Sequence, residues 1–121
     1  MRVSTVVIIL LVIGGGYYYA NKKGYIGQAK QNVANSFDAH FEKGQLLYQG
    51  MKYPEAMEEF QKAIDLAPQN PQAADAMARI GNCYRDMGEK EKAIATYQQV
   101  IKTYPESTVR PQVEKMIEKI R

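Results

Sequence analysis

Two stretches of this 121-residue chain carry one arrangement of residues 37 positions apart, and that repetition limits the possible fold more than any other feature. The first reads Gly44-x11-Ala56-x3-Phe60-x2-Ala63-x4-Pro68 and the second Gly81-x11-Ala93-x3-Tyr97-x2-Val100-x4-Pro105, so every interval agrees. Each copy holds two segments whose apolar residues recur every three or four positions, the period of an amphipathic helix. Small residues let paired helices approach closely. Gly44 is therefore expected opposite Ala56, and Gly81 opposite Ala93, with Phe60 and Tyr97 filling the remaining gaps.

The helix leading into the first copy is expected to begin near Gly27 and run to Gln49, carrying Ala29, Val33, Phe37 and Phe41, with Gly50 as its stop. Pro54 opens the next helix, whose stripe is Ala56, Met57, Phe60, Ala63 and Ile64. Asn70 is expected to cap a third helix with Pro71 at its first position, running to a stop at Gly88. A fourth runs from about Glu89 to just before Pro105, and Ser107 or Thr108 caps a last one containing Val113, Met116, Ile117 and Ile120. No segment alternates with period two, so no sheet is expected and the fold class is all-α.

These residues, repeated in phase, resemble the tetratricopeptide repeat family over roughly residues 37–105, with 109–120 as a closing half-unit. The period departs from the family's usual length of about 34, the extra residues falling in or near 67–73, and His40 and Met77 stand where an aromatic is often found. The longer units and the junctions Leu66-Ala67-Pro68 and Tyr104-Pro105-Glu106-Ser107 look like tetratricopeptide proteins of bacterial cell envelopes.

The resemblance implies a binding scaffold over residues 37–121, with repeats at about 37–70 and 71–107 and a capping helix at about 108–120. The partner would lie along the face made by the first helix of each pair: Phe41, Gln45, Tyr48 and Gln49, then Ala78, Asn82, Arg85 and Asp86, extended by Lys115 and Lys119. In family members that grip peptide C-termini, Lys, Arg and Asn at such positions fork onto a carboxylate, and the resemblance implies that Asn82, Arg85, Lys115 and Lys119 are the candidates for that role here. About three repeats are normally needed for independent stability. With two copies here, another protein, or a second copy of this chain, is expected to cover part of the apolar surface.

Residues 3–20 carry no charge, and as a helix they would be about 27 Å long, close to the hydrocarbon thickness of a bilayer. Tyr17, Tyr18 and Tyr19 and then Lys22 and Lys23 follow in the order expected at a membrane boundary. Residues 1–20 are therefore read as a single transmembrane anchor. Residues 21–36 are the linker and the start of the first helix. A cleaved signal peptide fits less well, because bulky Tyr18 stands where the cleavage site before Asn21 needs a small side chain. Gly14, Gly15, Gly16 and Ala20 form a smooth patch on which another membrane helix could lie. Arg2 against Lys22, Lys23 and Lys30 favours retaining the C-terminal domain inside, whereas the short basic tail before an apolar core resembles an export signal. The likeness to envelope proteins of bacteria tips the expectation towards an inner-membrane protein with a periplasmic domain.

Charge and reactive side chains narrow the function further. The chain carries +3, and without its first twenty residues 15 Lys and Arg face 13 Asp and Glu, so there is no basic stripe for nucleic acid. Cys83 and His40 are the single cysteine and histidine, and they fall in different hairpins. That arrangement suits neither a Cys/His nucleophile nor a thiolate metal cage. Glu55, Glu58, Glu59 and Asp65 read as a solvated helix face. A non-enzyme without cofactor or metal is expected: a membrane-anchored adaptor, or alternatively a small accessory subunit of a larger membrane complex.

Overall fold

A computed structural model describes residues 35–121. The anchor expected at residues 3–20, with Gly14, Gly15, Gly16 and Ala20, and the linker up to residue 34 lie outside the described residues. Five helices follow one another: α1 (Phe37–Gln49), α2 (Tyr53–Leu66), α3 (Ala73–Asp86), α4 (Lys90–Thr103) and α5 (Arg110–Ile120). Each packs against the next in chain order, and there is no strand among the described residues. None of these helices is long and apolar enough to cross a membrane.

The start of α1 differs from expectation. Ser36 has extended backbone and its hydroxyl accepts the Ala39 N–H at 3.2 Å, so the helix opens there and not near Gly27. A short side-chain oxygen at this position satisfies a donor that the helix itself cannot.

The turn inside each hairpin is the same structure built from different residues. Met51 donates to the Tyr48 carbonyl at 2.9 Å and Lys52 to the Leu47 carbonyl at 2.9 Å; 37 residues on, Gly88 donates to Arg85 at 3.0 Å and Glu89 to Tyr84 at 2.8 Å. This paired closure places one residue in the left-handed region. In the second hairpin that residue is Gly88, with φ 83°; in the first it is Met51, with φ 60°, and not the neighbouring Gly50, whose φ is −83°. A Cβ in that region costs roughly 1–2 kcal/mol, and the Met51 side chain, 75 % exposed, gains little packing in return. Met51→Gly is expected to raise stability by about 0.5–1 kcal/mol after the entropy cost of glycine is deducted. A rise of several degrees in melting temperature would show it; an unchanged or lower value would count against strain at this turn.

The turns between repeats also recur. Asn70 Oδ1 accepts the Gln72 N–H at 2.8 Å and Ser107 Oγ accepts the Val109 N–H at 3.3 Å. The backbone carbonyls of the same two residues accept from Ala73 and Arg110. Asn70 and Ser107 therefore shape the turn two residues ahead of their own positions. The helices start at Ala73 and Arg110, capped at Gln72 and Val109, and the expectation that Asn70 and either Ser107 or Thr108 cap them directly is corrected.

Inside each hairpin the aromatic ring sits on the glycine. A Cβ on Gly44 would lie 2.7 Å from the Phe60 ring and one on Gly81 would lie 2.5 Å from the Tyr97 ring. Phe60, Tyr97, Ala56, Ala93, Ala63 and Val100 are all completely buried. One cluster centres on Phe37, Phe41 and Phe60 between α1, α2 and α3; a second joins Tyr97 and Val100 to Val113 and Ile117 of α5.

Glu59 departs from its expected solvated position. It is 5 % exposed, with Oε2 at 2.6 Å from His40 Nδ1 and Oε1 at 3.1 Å from Lys43 Nζ. Burial raises its pKa, but the bonds from His40 and Lys43 outweigh it and hold the carboxyl below the usual range. A carboxyl depressed in the folded state contributes stability that is present above its unfolded pKa and lost as pH falls through the folded one. Domain stability is therefore expected to decline below about pH 4. In Glu59→Gln that acid decline should be shallower in thermal melts taken across the same range.

Candidate functional site

The first helix of each hairpin contributes to one surface. Tyr48 in α1 donates its hydroxyl proton to Asp86 at the end of α3, and Arg85 Nε donates to the other Asp86 oxygen at 3.0 Å. Burial and the bond to Asp86 push the Tyr48 phenol up to about 12. Burial works against the Asp86 charge, yet Tyr48 and Arg85 together hold its carboxyl low. The same pairing, against an opposing effect of burial, pushes Arg85 further up. The three side chains form a latch between the two repeats.

Beyond the latch, Arg85 lines a pocket of about 450 Å³ with Met116, Lys119 and Ile120 of α5. Two cations thus flank a thioether and an aliphatic side chain, a combination suited to a carboxylate next to an apolar group. Of the four residues expected to fork onto a carboxylate, Arg85 and Lys119 line this pocket, while Lys115 is exposed and not part of its lining. Asn82 is half-buried, and its Oδ1 accepts the Tyr97 hydroxyl at 2.5 Å, so its amide is positioned by α4.

Gln45 is half-buried and Gln49 exposed on α1. Phe41 is different: at 8 % exposure it stacks on Phe37, with centroids 5.6 Å apart, and meets the Phe60 ring edge-on at 5.7 Å. It is a core residue and not a contact on the binding face. Arg79 covers it, with its guanidinium 5.3 Å from the ring centroid. Met116 and Ile120, read from the sequence only as an apolar stripe, turn out to be pocket walls. Both lie within one helical turn of Lys119, the signal in the sequence that places them beside the expected face.

A second cleft, of about 570 Å³, lies where the inter-repeat turns come together, lined by Gln69 to Pro71 and Ala74 on one side and Thr103 to Thr108 on the other. The Tyr104 hydroxyl bridges these turns by donating to the Pro68 carbonyl at 2.8 Å. Cys83 is fully buried, and burial pushes its thiol up to about 11, far from the range of a reactive thiolate.

A family model for the tetratricopeptide repeat matches residues 35–106, which takes in both hairpins and the turns between and after them. The chain belongs to the tetratricopeptide repeat family. A search of curated proteins finds no match. Repeats of this family are protein-interaction modules.

The tetratricopeptide register also explains α5, which lies beyond the matched residues. Arg110 opens α5 37 residues after Ala73 opens α3, and buried Val113 and Ile117 take the places of Ala76 and Ile80. α5 is therefore the first helix of a third unit. Its equivalent of Gly44 and Gly81 is Glu118, which is exposed, so α5 offers no bare backbone on which another ring could sit. Polar residues instead cover its outer side.

Proposed function

We propose that this protein is a membrane-anchored interaction module whose tetratricopeptide face receives a segment of another protein carrying a carboxylate beside an aliphatic side chain. The observation that carries the proposal is the convergence of Arg85 and Lys119 around Met116 and Ile120 in one pocket. The repeat register supports including Gln45, Tyr48, Gln49, Asn82 and Lys115 in the same surface. The anchor is residues 3–20, supported by their uncharged length and by the tyrosine and lysine border that follows. The resemblance of the repeat junctions to envelope proteins supports a bacterial inner membrane, with the helical domain on the periplasmic side.

Cross-linking of the full chain in intact membranes tests the adaptor role. Combined Arg85→Glu and Lys119→Glu substitution should reduce capture of the partner by about tenfold. Capture that is insensitive to both reversals would remove the pocket from the function. Protease digestion of the helical domain in spheroplasts, but not in intact cells, is the result expected for a periplasmic domain.

A second reading is favoured by Gly14, Gly15, Gly16 and Ala20, a small-residue patch suited to another membrane helix. In that case the chain would be an accessory subunit, and the solubilised protein would co-purify with a large integral complex even when the α3–α5 pocket is reversed in charge. Sedimentation of a variant lacking residues 1–24 separates both readings from self-association, which would show as a concentration-dependent dimer.

A further inference from the structure

Asp86 is an odd residue to find where it stands. It is the last residue of α3, where the backbone carbonyls already present partial negative charge, so a carboxylate there is locally unfavourable. The turn does not require it: the equivalent residue of the first repeat is Gln49, and α1 ends in the same closure. Its two oxygens are instead committed to Tyr48 and to Arg85.

We infer that Asp86 is a built-in competitor for Arg85, occupying the guanidinium so that only a partner whose carboxylate outcompetes or shares that contact binds well. The inference rests on the carboxylate-bearing partner proposed above. Arg85 has five N–H donors, and Asp86 takes the Nε edge at 3.0 Å. Tyr48 fixes the other Asp86 oxygen, which keeps the acid from rotating away. The Arg85 charge is thereby offset inside the protein, while Lys119, across the pocket, has no ion-pair partner among the described residues. Asp86 sets selectivity by raising the threshold for weak or singly charged ligands.

The test uses the full chain and a fluorescent octapeptide of alternating Glu and Leu with a free C-terminal carboxylate, read by anisotropy. Asp86→Gln, which installs the residue the first repeat carries, should bind this peptide about fivefold more tightly at low salt, the gain shrinking as ionic strength rises. Asp86→Asn repeats the measurement if the glutamine variant melts early. Tyr48→Phe keeps the acid's charge but lets the acid rotate off the guanidinium, so it should recover only part of that gain. Unchanged or weaker binding by the Asp86 variants would overturn the inference, and so would an equal gain in Tyr48→Phe, which would place the effect in the latch geometry and not in the charge. If neither the parent nor the folded Asp86 variants bind the peptide, the carboxylate-bearing partner itself is wrong and the competitor falls with it.

Discussion

Replacing Tyr97 with alanine is expected to lower the stability of the helical domain by about 3–5 kcal/mol, the range for emptying a buried aromatic site. Its ring is completely buried, lies directly on Gly81, and joins α4 to the cluster that includes Val100, Val113 and Ile117. The glycine cannot move in to fill the void, because it has no side chain and its backbone is fixed within α3. The Tyr97 hydroxyl also donates to Asn82, so alanine leaves that half-buried amide oxygen without its partner. A domain of this size commonly has about 5–15 kcal/mol in total, so the loss is a large share of it. By circular dichroism, melting should fall by roughly 12 °C or more. Tyr97→Phe keeps the ring and removes one hydrogen bond, and should cost only about 1 kcal/mol. An alanine variant that melts within a few degrees of the parent would mean that the Gly81 contact is not part of the folding core.

The hairpins, their order and the ring-on-glycine packing were legible because they depend on residue size at a fixed spacing, and the spacing repeats. What escaped was decided by contacts between helices. Glu59 lies on α2 with exposed Glu58 and Asp65, and only His40 and Lys43, from the other helix of the hairpin, make its burial tolerable. Phe41 has the helical spacing of a surface-facing residue and of a core residue alike; the ring of Phe60 decides between them. Met51 carries no local sign of a left-handed backbone, and Gly50 beside it attracts the assignment, although the register shared with Gly88 contains the answer.

The candidate site divides in the same way. Arg85 and Lys119 could be placed on one face from the repeat alone, because a single offset carries the row from hairpin to hairpin. The latch could not. Tyr48 and Asp86 stand 38 residues apart and occupy non-equivalent positions in their repeats, so the repeat's symmetry gives no hint that they meet. The residues proposed for binding lie where the second repeat departs from the first: Arg85 for Tyr48, Asp86 for Gln49, and Asn82 for Gln45.

Gly81→Ala should destabilise the domain even though alanine is the better helix former by about 1 kcal/mol. The added Cβ would stand 2.5 Å from a Tyr97 ring carbon, where ordinary carbon contacts lie near 3.5–4.0 Å. α3 and α4 would have to part by about 1 Å, or the ring would have to leave its rotamer, and overpacking of this kind costs roughly 1–3 kcal/mol. Tyr97 cannot yield cheaply, since its hydroxyl is held by Asn82 and its ring is enclosed. The net loss expected is up to about 2 kcal/mol, with Gly44→Ala somewhat milder, because Phe60 begins 2.7 Å away and has no hydroxyl to anchor it. Gly50→Ala is the control: its nearest neighbours are backbone oxygens at 3.6 and 3.7 Å and its φ is negative, so its stability should stay within about 0.5 kcal/mol of the parent. The order Gly81, Gly44, Gly50 in thermal melts separates close approach from helix propensity. If Gly81→Ala instead melts higher than the parent, the two helices have slack that these distances do not allow, and the small residues at 44 and 81 are not what brings each hairpin together.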